Sequence, residues 1–187
     1  MANVGQGVAL SALSTLNGLY DNGALVMYSG TQPASPETAL SGNTVLVSWV
    51  FSNVAFALPT FSAGAQSALA SFVAASVAPA AGGTATFARA TPPAWQNSHA
   101  YALDAGVSNG GNIYQVQIAG TSASSGGPSG TAANIVDGSV TWAYVGPGPA
   151  LMDYTVGTSG TDIIVGNTTI QTGTNVSMSL THRVTAV

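Results

Sequence analysis

The chain has no cysteine and no lysine, and its charged residues reduce to Asp21, Glu37, Arg89, Asp104, Asp137, Asp153, Asp162 and Arg183. Without cysteine there is no disulfide, no zinc–thiolate site and no thiol nucleophile. Two basic side chains cannot neutralise a run of phosphates, which argues against nucleic acid as a partner and against an anionic membrane surface. Long hydrophobic runs are missing too. The longest, Ala68 to Ala81, is interrupted by Ser71, Ser76 and Pro79. It falls short of the roughly 18–20 apolar residues needed to span a bilayer. Met1 to Gly5 contains no basic residue, so it does not read as a secretory leader.

What remains is apolar and neutral. Hydrophobic residues make up 46% of the chain and the net charge is −4, a balance that favours a folded core over disorder. The length fits one domain, or one domain carrying an inserted module. An ordinary domain has about a quarter of its residues charged, and interspersed charge is what keeps free monomers apart. A surface built from Ala, Gly, Ser, Thr and Asn therefore suits a chain packed against neighbours.

Periodicity predicts one helix and many strands. Over residues 6–20, Val8, Ala9, Ala12, Leu13, Leu16, Leu19 and Tyr20 recur at spacings of three and four. Asp21-Asn22-Gly23 then ends the pattern with a turn able to take a left-handed conformation. Such a helix either closes one end of a β core or docks as an arm on a neighbour. Strands are expected at 24–28, 44–51 with a continuation over 53–58, 84–90, 151–156, 161–165 and 175–184. The Ala- and Ser-rich stretch 59–83 reads as strand and loop. Arg89, in the alternating segment 84–90, needs a carboxylate or carbonyl partner if it is buried. Short strands separated by Gly and Asn turns predict a mainly β fold. The expected form is an antiparallel sandwich or jelly roll with an N-terminal helix.

Residues 91–148 differ in character. Thr91-Pro92-Pro93 opens the segment and Pro147-Gly148-Pro149 closes it, as hinges around an inserted small β module. The body is then 1–90 plus 149–187. The module contains Trp95, Tyr101, Tyr114, Trp142 and Tyr144, with a Gly/Ser tract over 120–130 expected to be flexible. The order Trp95, Tyr101, Gly106-Val107, Tyr114 and Trp142 resembles small modules of phage tail proteins and chitin-binding-type carbohydrate modules. The step from Tyr101 to Gly106 is two residues longer than in that pattern. The resemblance implies that Trp95, Tyr101, Tyr114, Trp142 and Tyr144 contact a host surface glycan, because flat rings stack on the apolar faces of sugars. The competing reading is that a module this small needs the same rings as its core.

Chemistry has few candidates. His99 and His182 have no carboxylate at ligand spacing, so no metal is expected. His182, beside Arg183 at a strand end, reads as exposed or bonded to backbone. Asp104 and Asp137 are the best pair for a polysaccharide hydrolase, but Asp137-Gly138 is also a tight hairpin signal. No phosphate cradle, nucleophile elbow or dinucleotide fingerprint is present, so neither a cofactor nor an enzymatic role is expected.

Outside 91–150, three segments stand together: 18–42, 84–90 and 166–178. With the stretch Tyr28-Ser-Gly-Thr-Gln-Pro-Ala-Ser-Pro36 as its most specific piece, this pattern resembles a family of small structural proteins of tailed phages and prophages. The resemblance implies a virion subunit made in a host cytoplasm. The preferred role is a capsid decoration or cement protein, with the major capsid protein and other virion subunits as partners. A homo-oligomer is implied, a trimer at three-fold sites being plausible. The expected assembly contacts are Val8, Leu13, Leu16 and Leu19 on the helix and Pro33 and Pro36 on the loop. The alternative is a tail- or fibre-associated subunit whose module binds glycan.

Overall fold

The computed structural model describes residues 6–62, 65–148 and 150–185. Helix α1 (Gln6–Gly18) is followed by β1 (Ala24–Ser29), β2 (Thr44–Phe56), β3 (Thr60–Ser62), β4 (Ala65–Phe72), β5 (Ser76–Val77), β6 (Gly83–Thr84) and β7 (Phe87–Thr91). The middle of the chain forms β8 (Ala100–Tyr101), β9 (Gly106–Asn109), β10 (Asn112–Ile118), β11 (Gly120–Thr121), β12 (Ile135–Asp137) and β13 (Val140–Pro147). The last part adds β14 (Met152–Gly157), β15 (Ile163–Val165), β16 (Thr169–Ile170) and β17 (Val176–Thr185). The fold is mainly β, as the strand pattern predicts. Met1 to Gly5 and Pro149, both used in the sequence reading, lie outside the described residues.

The main sheet closes on itself. The order β4-β2-β1-β7-β14-β15-β17 returns to β4 through a β17–β4 pairing, giving a barrel of seven strands. This strand order does not single out a jelly roll. Every neighbouring pair in the ring is antiparallel except β14–β15. A closed ring with an odd number of strands cannot alternate direction all the way round, so one parallel seam is obligatory. Parallel neighbours usually need a crossover of a dozen or more residues. Here a tight loop suffices, because only Val156–Ile163 and Gly157–Ile164 are paired. Asp162 holds that loop closed, accepting from Thr155 N at 2.9 Å and Thr155 Oγ1 at 2.8 Å.

Strand alternation fills the barrel. Leu25 and Met27 of β1 face inward with Val47, Trp49 and Phe51 of β2, Ala88 and Ala90 of β7, Tyr154 and Val156 of β14, Ile163 of β15 and Leu180 of β17. A barrel of this strand number has an interior that side chains can fill. Helix α1 buries Ala9, Leu13 and Asn17, spaced by four. It ends at Gly18, and Asn22 takes a φ of 59° as Gly23 N donates to Tyr20 O. Asp21 reaches onward to accept from Ala55 N of β2 at 2.8 Å.

Arg89 projects outward from β7 and is nonetheless buried. It finds both partner types that burial demands. Its guanidinium donates in bidentate fashion to Asp153 at 2.7 and 2.8 Å, and to the carbonyls of Thr38 and Ser35. The loop between β1 and β2 is thereby held over the barrel wall.

Candidate functional site

Between β7 and β14 the chain builds a second sheet, ordered β12-β13-β10-β9, with the small pair β8–β11 beside it. Its core is separate from the barrel's: Tyr101, Val107, Tyr114, Val116, Val140 and Trp142. The Asp137–Gly138 signal is realised as a two-residue hairpin from β12 to β13, with Gly138 at φ 69°. The sheet leans on the helix end. A Cβ on Gly106 would sit 2.7 Å from Leu19 O, and one on Gly18 would sit 2.9 Å from Asp104 O. Gln115 Nε2 donates to Thr15 O and Asp104 O across the same contact.

The five aromatic candidates fall into two groups. Trp142 has 0% of its surface exposed, and Tyr114 and Tyr101 are buried with it. Their rings form the module's core, edge to face for Tyr101 and Trp142, and in this conformation they offer no face to a sugar. Trp95 and Tyr144 remain half-buried. Trp95 is covered on one side by the Gly/Ser tract: a Cβ on Gly127 would lie 2.9 Å from Trp95 Cδ2. That tract is not the free segment its composition predicts. Asn109 Nδ2 pins it by donating to Gly126 O and Pro128 O, and Tyr114 Oη donates to Gly130 O.

Asp137 organises this core. Its Oδ2 accepts from Trp95 Nε1 at 2.8 Å and from Trp142 Nε1 at 3.2 Å, while Oδ1 accepts from Ala123 N at 2.9 Å. Both of its oxygens are thereby engaged inside the module's core. Asp104 occupies a turn at φ 67°, with its backbone against Gly18.

The proposed assembly residues also divide. Val8 and Leu16 are exposed on α1, whereas Leu13 and Leu19 are buried against the chain's own core. Pro33 and Pro36 are half-buried in the loop that Arg89 retains.

A groove of about 560 Å³ opens beside α1, lined among others by Leu13, Leu16, Tyr154, Asp162, Thr181 and His182. His182 corrects the sequence reading: it is buried. It follows Leu180 by two residues, so the inward alternation of β17 already placed it inside. Its Nδ1 bonds Asn17 Oδ1 at 2.9 Å and its Nε2 bonds the Tyr154 hydroxyl. The ring stacks on Phe56 and meets Tyr20 edge-on. Burial pushes the imidazole down to about 4 and the Tyr20 phenol up to about 12. Both ring nitrogens are occupied, Asp162 is engaged with Thr155, and Asp153, which also lines the groove, is paired with Arg89. The groove therefore has hydroxyls but no free base to activate them. Among the described residues no cluster of three or more His, Asp or Glu could hold a metal ion.

Comparison with family models, curated proteins and solved structures returns no match.

Proposed function

We propose that this chain is a structural subunit of a bacteriophage virion, acting through surface contacts and not through chemistry. Within the virion the preferred place is the capsid exterior, as a decoration or cement protein bound to the major capsid protein. The observation that carries the proposal is the surface itself. Aliphatic side chains such as Val8, Val54, Leu69 and Val73 stand exposed on a chain with almost no charge to keep copies or partners away. Burying such a face releases about 25 cal/mol per Å² with little charge to desolvate. The phage assignment rests on the resemblance of segments 18–42, 84–90 and 166–178. Engagement of Asp137, His182 and Asp162 in fixed hydrogen bonds supports a non-catalytic role.

The rival reading, a tail- or fibre-associated subunit whose module binds glycan, draws on a module with its own core and on the half-exposed rings of Trp95 and Tyr144. Burial of Trp142, Tyr101 and Tyr114 weakens it. Cryo-electron microscopy of the parent virion tests the proposal. Density for this chain repeated over the capsid lattice supports the cement role. Density at the tail alone favours the rival, and absence of the chain from purified particles overturns both.

A further inference from the structure

Asparagine followed by glycine is the step at which a side-chain amide is most easily lost, because glycine has no Cβ to shield its backbone nitrogen from the asparagine Cγ. The chain has three such steps, Asn17-Gly18, Asn22-Gly23 and Asn109-Gly110. The fold restrains two of them. Asn17 is buried with its Oδ1 on His182 Nδ1, and Gly18 is the last residue of α1, its N–H inside the helical ladder. Gly23 N donates to Tyr20 O at 2.8 Å, and its backbone is packed so closely that a Cβ would lie 2.3 Å from Thr91 O. Gly110 differs. Asn109 and Asn112 are paired across the β9–β10 hairpin, and Gly110 and Gly111 between them take φ values of 56° and 80°, as a type I′ turn requires. Gly110 N enters no backbone hydrogen bond among the described residues, and a Cβ there would meet nothing within 4 Å.

We propose that Asn109 is a self-modifying latch: it loses its amide through attack by Gly110, and the loss releases the Gly/Ser tract that covers Trp95. The Gly110 nitrogen, its proton taken by solvent base, attacks Asn109 Cγ. The Cγ–Nδ2 bond breaks, Nδ2 leaves as ammonia, and a cyclic imide remains. Water then opens the imide at either carbonyl. One product is an aspartate, the other an isoaspartate whose main chain is longer by one carbon. Nδ2 is also the group that holds the tract, donating to Gly126 O at 3.2 Å and to Pro128 O at 3.0 Å. These two bonds set the pace, since ring closure needs the amide to leave them. On either side the tract has other anchors: Asn97 Nδ2 donates to Ser124 O, and Tyr114 Oη to Gly130 O. Between those anchors Asn109 supplies every hydrogen bond found among the described residues. A carboxylate has acceptors only, so the product sets oxygen against the Gly126 and Pro128 carbonyls where a donor stood. A Cβ on Gly127 would lie 2.7 Å from Asn109 Nδ2 and 2.9 Å from Trp95 Cδ2, so the tract is seated on both side chains. Once the latch is gone, the half-buried indole is uncovered. The change is one-way and adds a negative charge to a chain that has few charges.

The test is ageing of the full chain at mildly alkaline pH, with fragmentation mass spectrometry to locate each amide lost. A urea-unfolded sample calibrates the three steps. In the folded chain Asn109 is converted first, to a mixture of aspartate and isoaspartate, while Asn17 and Asn22 are slowed further below their unfolded rates. Acrylamide quenching follows the latch, because Trp49 and Trp142 are buried and the half-buried Trp95 dominates the response. Asn109→Asp and Asn109→Ala, made directly and checked for the wild-type circular dichroism, both raise quenching. Proteinase K cuts both variants within 125–129 at least ~10-fold faster than wild type, as loss of two hydrogen bonds allows. Gly110→Asp keeps a turn that accepts Asp-Gly but crowds the attacking nitrogen, so it ages slowly and keeps Trp95 covered. Amide loss at Asn17 or Asn22 ahead of Asn109 overturns the modification. So does an Asn109 that persists in the folded chain while the unfolded chain loses it. Wild-type quenching and cleavage in both Asn109 variants overturns the latch.

Discussion

Lowering the pH from 7 to 5 should destabilise the barrel through His182, and the size of the effect follows from its surroundings. The unfolded imidazole titrates near 6.5, and burial against Phe56, Tyr20 and Tyr154 brings the folded value down to about 4. The folded state thus resists the proton that the unfolded state accepts. Between these two values the unfolded chain binds more protons, so stability rises with pH and falls as pH drops. One pKa unit corresponds to 1.36 kcal/mol, which gives a loss of about 2 kcal/mol at pH 5 and about 3 kcal/mol at pH 4. For a chain of this size each kcal/mol moves Tm by about 2–4 °C. Asp21 acts in the opposite sense, because burial raises its pKa and favours the protonated folded form. The assay is therefore a comparison: urea unfolding of wild type and His182→Gln from pH 7 to pH 4. The variant loses stability at pH 7 with the Tyr154 and Asn17 bonds, and its pH slope between 6.5 and 4 is shallower by the amount above. Equal slopes in the two proteins would show that His182 is not held neutral by the fold.

Other expectations concern the two cores and their contact. Arg89→Ala leaves Asp153 buried without its cation and frees the Ser35 and Thr38 carbonyls. It should cost about 3–5 kcal/mol, and limited proteolysis should cut the β1–β2 loop first. Asp137→Ala removes the shared acceptor of two indoles and of Ala123 N. A loss of about 2–4 kcal/mol is expected, with a red-shifted tryptophan emission; an unchanged spectrum would contradict the placement of Trp95 and Trp142. Gly106→Val forces a side chain into Leu19. It should raise hydrogen exchange along the α1–module contact while leaving exchange in β1, β2 and β7 as in wild type.

Much of the local structure was legible in the sequence, and the reasons differ by element. The helix was visible because Ala9 and Leu13 repeat at helical spacing, and Asn22-Gly23 announced its end. Arg89 was flagged by the cost of burying a lone cation, and Asp153 with two carbonyls meets that demand. Asp137–Gly138 was readable as a hairpin because a left-handed glycine is needed there. Closure of the barrel was not legible: alternation tells which face a residue takes but not which strand lies beside it. The β4–β17 seam joins the bland Ala/Ser stretch 65–72 to residues more than a hundred positions away. The Gly/Ser tract misled for a related reason, since glycine marks both free chain and close approach, and Gly127 is the latter. Of the candidate sites, the five aromatic residues share one small core. Sequence alone could not separate a core of rings from a platform of rings, because stacking on a sugar and packing on a neighbour call for the same side chains.

The order of strands around the barrel also sets an order in time. β17 comes last of the seven in the chain, yet it seals the ring against both β4 and β15 and brings in His182 to meet α1. Four barrel strands precede the module in the chain, and β14 and β15 follow it before β17 is reached. Until β17 arrives the nascent body has open strand edges on both sides of the gap, the kind of surface that pairs with other chains. A translating polysome would hold many such half-barrels close together. The last of the seven ring strands to be made is then both the keystone of one molecule and the step at which strand exchange between molecules is decided.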